Sequence, residues 1–123
     1  TEGFKQFEAL RVTCPPEQVR HSYYKYYVFV KPDRLRKGWS RDRVLMALLE
    51  KGIPCGTGVC PEIYLEKAFD LCEWRTGREG RRRLEVARQL GETSLMFLVH
   101  PTLEDEDMHF LVEQMVGIMK NTA

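Results

Sequence analysis

The sequence is short of most features that mark a specialised surface or compartment. Its 123 residues carry 19 basic and 18 acidic side chains, a formal net charge of +1. No field of one sign is present to draw a nucleic acid or an anionic membrane. No apolar run approaches the roughly 20 residues of a membrane span, and the first residues lack the basic, apolar and small-residue order of a signal peptide. The expected setting is the cytoplasm. Cys14, Cys55, Cys60 and Cys72 contain no C-x-x-C pair, so with His21, His100 and His109 they lack the tight knuckles of a tetrahedral zinc site. Free thiols and no metal are expected in a chain with enough apolar content to fold without staples. Gly56-Thr57-Gly58 fits neither the G-x-x-x-x-G-K-[ST] nor the G-x-G-x-x-G spacing of a phosphate loop. Internal repeats and low-complexity tracts are also missing.

What is present suits one α+β domain over 1–123. With 43% apolar residues, a chain of this size buries about two thirds of the surface its unfolded form exposes. Phe4, Phe7 and Leu10 form a helical stripe that Cys14-Pro15-Pro16 stops. The run YYKYYVFV at 23–30 reads as a strand. Alternation puts Tyr24, Tyr26, Val28 and Val30 on one face and Tyr23, Lys25, Tyr27 and Phe29 on the other, so both faces ask for cover. Ser40 caps a helix carrying Val44, Leu45, Leu48 and Leu49, which Gly52 ends. IPCGTGVC suggests a kinked or edge strand, residues 62–72 a helical turn or two, and the stretch from Trp74 a polar loop. Leu84, Ala87 and Leu90 mark a third helix, and LMFLV at 95–99 a buried strand. Thr102 and Asp105 suggest a capping box for a last helix carrying Met108, Leu111, Val112, Met115 and Met119. The order implies about three strands with helices mainly on one face.

The chemistry-bearing patterns each have a plainer alternative. The aromatic run could stack nucleic-acid bases, but only Lys25 interleaves with it, so a core or interface strand is expected. Arg75, Arg78, Arg81, Arg82 and Arg83 could grip phosphates, or form a solvated loop or helix start. Cys60 and His100 are a conceivable thiolate pair, with nothing in the sequence to bring them together.

Three segments taken in order carry a resemblance: HSYYKYYVFV at 21–30, KGIPCGTGVCPEIYLEKAF at 51–69 and LEVARQLGETSLMFLVHPTLEDEDMHFLVEQM at 84–115. Together they resemble the C-terminal domain of the DegT/DnrJ/EryC1/StrS sugar aminotransferases, an aspartate-aminotransferase fold. The resemblance implies a parent enzyme that uses pyridoxal 5'-phosphate to move an amino group, usually from glutamate, to a keto sugar nucleotide in polysaccharide or glycan biosynthesis. It implies a parent homodimer in which this domain docks on its own N-terminal large domain. The family's Schiff-base lysine lies in that large domain, and none of Lys5, Lys25, Lys31, Lys37, Lys51, Lys67 or Lys120 stands in its motif. No catalytic residue and no bound cofactor are therefore expected in this chain, which alone should be silent. Where the family often has a His near the sugar, this sequence has Tyr64, a phenol able to hydrogen-bond a sugar hydroxyl or phosphate. Tyr64, with Glu62 and Cys60 beside it, is the substrate-side candidate. The start at Thr1 rather than Met leaves a processed leader and an excised piece both open. A binding module that uses the aromatic sheet face is the alternative function.

Overall fold

In the computed structural model, residues 1–58, 60–72 and 83–122 are described. They group into two compact units, one of 1–58 and 93–123 and one of 59–92. The first unit is built on a four-stranded antiparallel sheet of order β1-β2-β4-β3, from β1 (Leu10–Val12), β2 (Lys25–Val30), β3 (Cys55–Gly56) and β4 (Ser94–Leu98). Its helices are α1 (Glu2–Lys5), α2 (Arg41–Glu50) and α4 (Asp105–Thr122), while α3 (Glu85–Thr93) lies almost wholly in the second unit and runs directly into β4.

Period-2 alternation decides what the sheet buries. Val28 pairs with Leu95, Tyr26 with Phe97 and Leu10 with Val30, so these side chains share one face. Against that face α1 places Phe4, α2 places Val44 and Leu48, and α4 places Met115, Ile118 and Met119, all buried in one core with the sheet residues. The helical stripes on α2 and α4 follow from 3.6 residues per turn, which brings positions three and four apart onto one side. Along the opposite face run Arg11, Lys25, Tyr27, Phe29, Met96 and Leu98. There Tyr27 and Phe29 stay half-buried, and the Arg11 guanidinium lies 3.9 Å from the centre of the Phe29 ring. The expected α+β layer with its principal helices on one face is therefore what the chain forms.

Three local expectations change. The Phe4-Phe7-Leu10 stripe is not one helix: α1 is a single turn, and Leu10 enters a strand that hydrogen-bonds with β2, making the sheet four-stranded rather than three. Pairing with a long aromatic strand satisfies more backbone groups than continuing a short helix into Cys14-Pro15-Pro16. The last helix starts two residues beyond the Thr102 cap. The Glu104 N–H donates to Asp107 Oδ2 at 2.9 Å, while Thr102 Oγ1 is engaged by His100 Nδ1 at 2.7 Å. An acidic side chain three residues into the helix thus reaches back to the cap position, half of a capping box in a new register. Tyr24 leaves the buried face because the strand begins only at Lys25; the residue is 81% exposed.

Other expectations stand. Ser40 caps α2 by accepting the Arg43 N–H at 3.2 Å, and Gly52 ends it at φ +77°, the left-handed region that glycine enters at least cost. β3 is a two-residue edge strand. Residues 63–65 and 67–69 form two 3₁₀ turns, in keeping with the helical turn or two expected over 62–72. The polar loop expected from Trp74, with Arg75, Arg78, Arg81 and Arg82, lies outside the described residues. All four cysteines are free thiols.

Candidate functional site

Pro61 and Glu62 lead into the first 3₁₀ turn, Ile63–Leu65, which carries Tyr64 two residues from Glu62. That short spacing lets the Tyr64 hydroxyl donate to Glu62 Oε1 at 2.8 Å. The carboxylate is held from its other side by Arg83, whose Nε donates to Oε1 at 2.8 Å and whose second guanidinium nitrogen donates to Oε2 at 2.6 Å. This is the two-pronged geometry that suits a planar guanidinium to a carboxylate. The next residue completes the arrangement: the Leu84 N–H donates to the Tyr64 oxygen at 2.8 Å. Two neighbouring residues at the start of α3 therefore hold two nearly neighbouring residues of the 3₁₀ turn, all within the second unit.

Solvent exposure is unequal across the pair, with the Glu62 side chain 13% exposed and that of Arg83 56%. The Arg83 hydrogen bonds hold the Glu62 carboxyl well below the usual carboxylate range, at about 2, with the Tyr64 donation and the charge of Arg88 acting in the same direction. For Tyr64, burial is the main cause that pushes its phenol up, and the Glu62 carboxylate adds to it. At neutral pH the site thus holds a carboxylate, a neutral phenol and a guanidinium. Arg88, one turn into α3, is held in turn by Glu85 and by Glu92, both of whose oxygens it contacts at 2.9 Å.

Because the folded pKa of Glu62 lies below its unfolded value, the clamp contributes stability that is fully present above about pH 4.3, the ordinary Glu value. That contribution is lost as pH falls through about 2. The expected result is that the Glu62 carboxyl carbon, followed by NMR, titrates near pH 2, and that replacing Arg83 with methionine moves this titration upward.

Cys60 completes the sequence-predicted trio only as a neighbour in sequence. Its thiol donates to Glu66 Oε1 at 3.1 Å, and that carboxylate pushes the thiol up. A thiol held in its protonated form is the reverse of an activated nucleophile. The structure therefore brings Glu62 and Tyr64 together and gives Cys60 a separate partner. Sequence reasoning placed Arg83 in a basic run and missed its pairing with Glu62, because no spacing rule links residues 21 apart across a turn and a helix start.

No protein-family model matches the chain, and no curated protein matches it. Solved structures do. The chain is similar to an aminotransferase from Psychrobacter cryohalolentis, with 46% identity over 95% of this chain and 29% of that one, at a TM-score of 0.81. It is similar to the aminotransferase TlmJ from Streptoalloteichus hindustanus, with 22% identity over 98% of this chain and 29% of that one, TM-score 0.75. A DegT DnrJ EryC1 StrS aminotransferase from Brucella abortus matches at 19% identity over 96% of this chain and 28% of that one, TM-score 0.73. In each case the chain spans less than a third of the other protein's length. The chain therefore carries the α+β fold of the small C-terminal domain of aminotransferases, the DegT/DnrJ/EryC1/StrS family among them.

Proposed function

We propose that this chain works as the substrate-side small domain of a pyridoxal phosphate-dependent nucleotide-sugar aminotransferase, docked on a large N-terminal domain in a cytoplasmic homodimer. The observation that carries the reading is the 46% identity to an aminotransferase over 95% of the chain. In such an enzyme the cofactor supplies the electron sink for moving an amino group from glutamate to a keto sugar. The described residues do not fit the cofactor itself. Among the described cavities, the one lined by a lysine has Lys25 beside Thr13, Cys14, His21, Tyr23 and Tyr27, with no carboxylate for a pyridine nitrogen. Cofactor binding accordingly belongs to the parent's other domain, and this chain's contribution is to shape and fix the substrate side.

Tyr64 and Glu62 are the residues for that role. They stand in the segment EIYLEKAF, and the Tyr64 phenol is oriented by Glu62 and by the Leu84 N–H. Cys60 keeps its thiol on Glu66 and flanks the site. In the full-length parent, Tyr64→Phe is expected to lower kcat/KM for the keto-sugar nucleotide about tenfold, the equivalent of one hydrogen bond. The half-reaction with glutamate should keep its rate. Equal rates for wild type and variant in the sugar half-reaction would remove Tyr64 from the substrate side.

A further inference from the structure

The aromatic strand has a second face that the aminotransferase reading leaves unused. On the side of the sheet away from the main helices, Lys25, Tyr27 and Phe29 of β2 form the floor of a cavity of about 370 Å³. Thr13, Cys14 and Pro15, which follow β1, line one side of it, and His21 and Tyr23, which precede β2, line another. Both sides are pinned. The Thr13 hydroxyl donates to the Tyr27 carbonyl at 3.1 Å, and the Tyr23 N–H donates to His21 Nδ1 at 2.9 Å, with the His21 and Tyr23 rings 4.4 Å apart. Tyr23 is held at φ +48°, a left-handed conformation that a bulky residue keeps only where its surroundings impose it. The cavity is therefore built into the chain.

The charge lining this cavity is of one sign. Among the described residues no carboxylate lines it and none pairs with Lys25, whose ammonium lies 5.3 Å from the centre of the Tyr24 ring. Arg11, 3.9 Å from the centre of the Phe29 ring, is likewise without a carboxylate among the described residues. Not one of the 18 acidic side chains of the chain stands in the four strands. His21 adds a donor: its Nδ1 accepts from Tyr23, so the neutral ring carries its hydrogen on Nε2. Unpaired cationic and donor groups call for an anion, and the rings of Tyr23, Tyr27 and Phe29 beside them call for a flat apolar body. We propose that this cavity binds a small organic anion, a single aromatic ring carrying one phosphate or carboxylate, with the charge at Lys25 and His21 and the ring against Tyr27 and its aromatic neighbours. This inference goes beyond the aminotransferase reading and does not rest on it.

The test is an NMR titration of the chain with phenyl phosphate and benzoate, set against inorganic phosphate and benzyl alcohol, which carry the charge and the ring separately. The better of the two ring-bearing anions is expected to bind with a Kd of about 1 mM, as suits a ligand of some ten heavy atoms, and to shift the signals of Lys25, Tyr27 and Phe29. Inorganic phosphate and benzyl alcohol should each bind at least about tenfold more weakly, since each lacks one half of the recognition. Whichever of phenyl phosphate and benzoate binds better identifies the anionic group, and either order supports the site. Lys25→Met is expected to weaken binding about tenfold. Cys14 supplies an independent readout, because a ligand in the cavity shields its thiol: alkylation of Cys14 should slow severalfold with the better anion bound, while the exposed Cys60 keeps its rate. Benzyl alcohol binding as tightly as the anions would reduce the site to an apolar patch, and inorganic phosphate doing so would reduce it to surface charge; either result overturns the proposal. So does an unchanged Kd in Lys25→Met, or the absence of shifts at Lys25, Tyr27 and Phe29. Should Lys25→Met fail to fold, the comparison of the four probes on the wild-type chain decides alone.

Discussion

Replacing Phe97 with alanine is expected to destabilise the chain by about 3–5 kcal/mol, the usual range for emptying a buried aromatic site. Phe97 is 2% exposed on β4, where it pairs with Tyr26 on one side and Cys55 on the other. Its ring centre lies 5.7 Å from that of Phe4, so it joins the sheet to α1 as well as to its neighbours in the sheet. A loss of this size is a large share of the roughly 5–15 kcal/mol that holds an ordinary domain together. Urea denaturation should show the midpoint collapsing. Leu98→Ala on the same strand serves as the control: it points to the opposite face, is 47% exposed, and should change stability by no more than about 1 kcal/mol. Comparable losses for the two would mean that the core face has been misassigned.

The second large effect is expected at Gly58. Its φ of +95° is strained for any residue with a side chain, and a Cβ there would meet Tyr27 Cε1 at 2.5 Å and the Tyr27 hydroxyl oxygen at 2.8 Å. Gly58→Ala therefore combines backbone strain with overpacking against a half-buried ring on the sheet, about 2–4 kcal/mol together. Gly52 separates the two terms. It also has positive φ, +77°, but nothing lies within 4 Å of a Cβ built there, so Gly52→Ala should lose only the backbone term, about 1–2 kcal/mol. Thermal unfolding of both variants tests this, and equal losses would show that the Tyr27 contact contributes nothing.

The parts of the fold legible in the sequence are those where one rule acts alone. β2 is written in a run of aromatic and β-branched residues, and α2 in a serine cap, a leucine stripe and a terminal glycine. α4 is written in apolar residues at helical spacing, with Met115 and Met119 fully buried as that spacing requires. What was not legible depends on partners far along the chain. Leu10-Arg11-Val12 is three residues long, too short to show a period, and it is a strand because Val30, Phe29 and Val28 stand opposite it. Thr102 and Glu104 compete for the cap of α4, and the competition is settled by His100 taking the Thr102 hydroxyl.

The candidate site divides in the same way. Glu62 and Tyr64 were found through the resemblance of the segment that holds them, and two residues of spacing on a 3₁₀ turn lets them meet. Arg83 was hidden among five arginines, since charge in a sequence does not say which carboxylate it will find. Cys60 is close in sequence but bonds to Glu66 instead, because the second turn brings that carboxylate within 3.1 Å.

The most direct measurement of the central claim, that this chain furnishes the substrate side and leaves the cofactor to the rest of the enzyme, is borohydride reduction of the full-length parent aminotransferase followed by peptide mapping. The account predicts that the pyridoxyl-labelled lysine lies outside these 123 residues. A label on Lys5, Lys25, Lys31, Lys37, Lys51, Lys67 or Lys120 would contradict it.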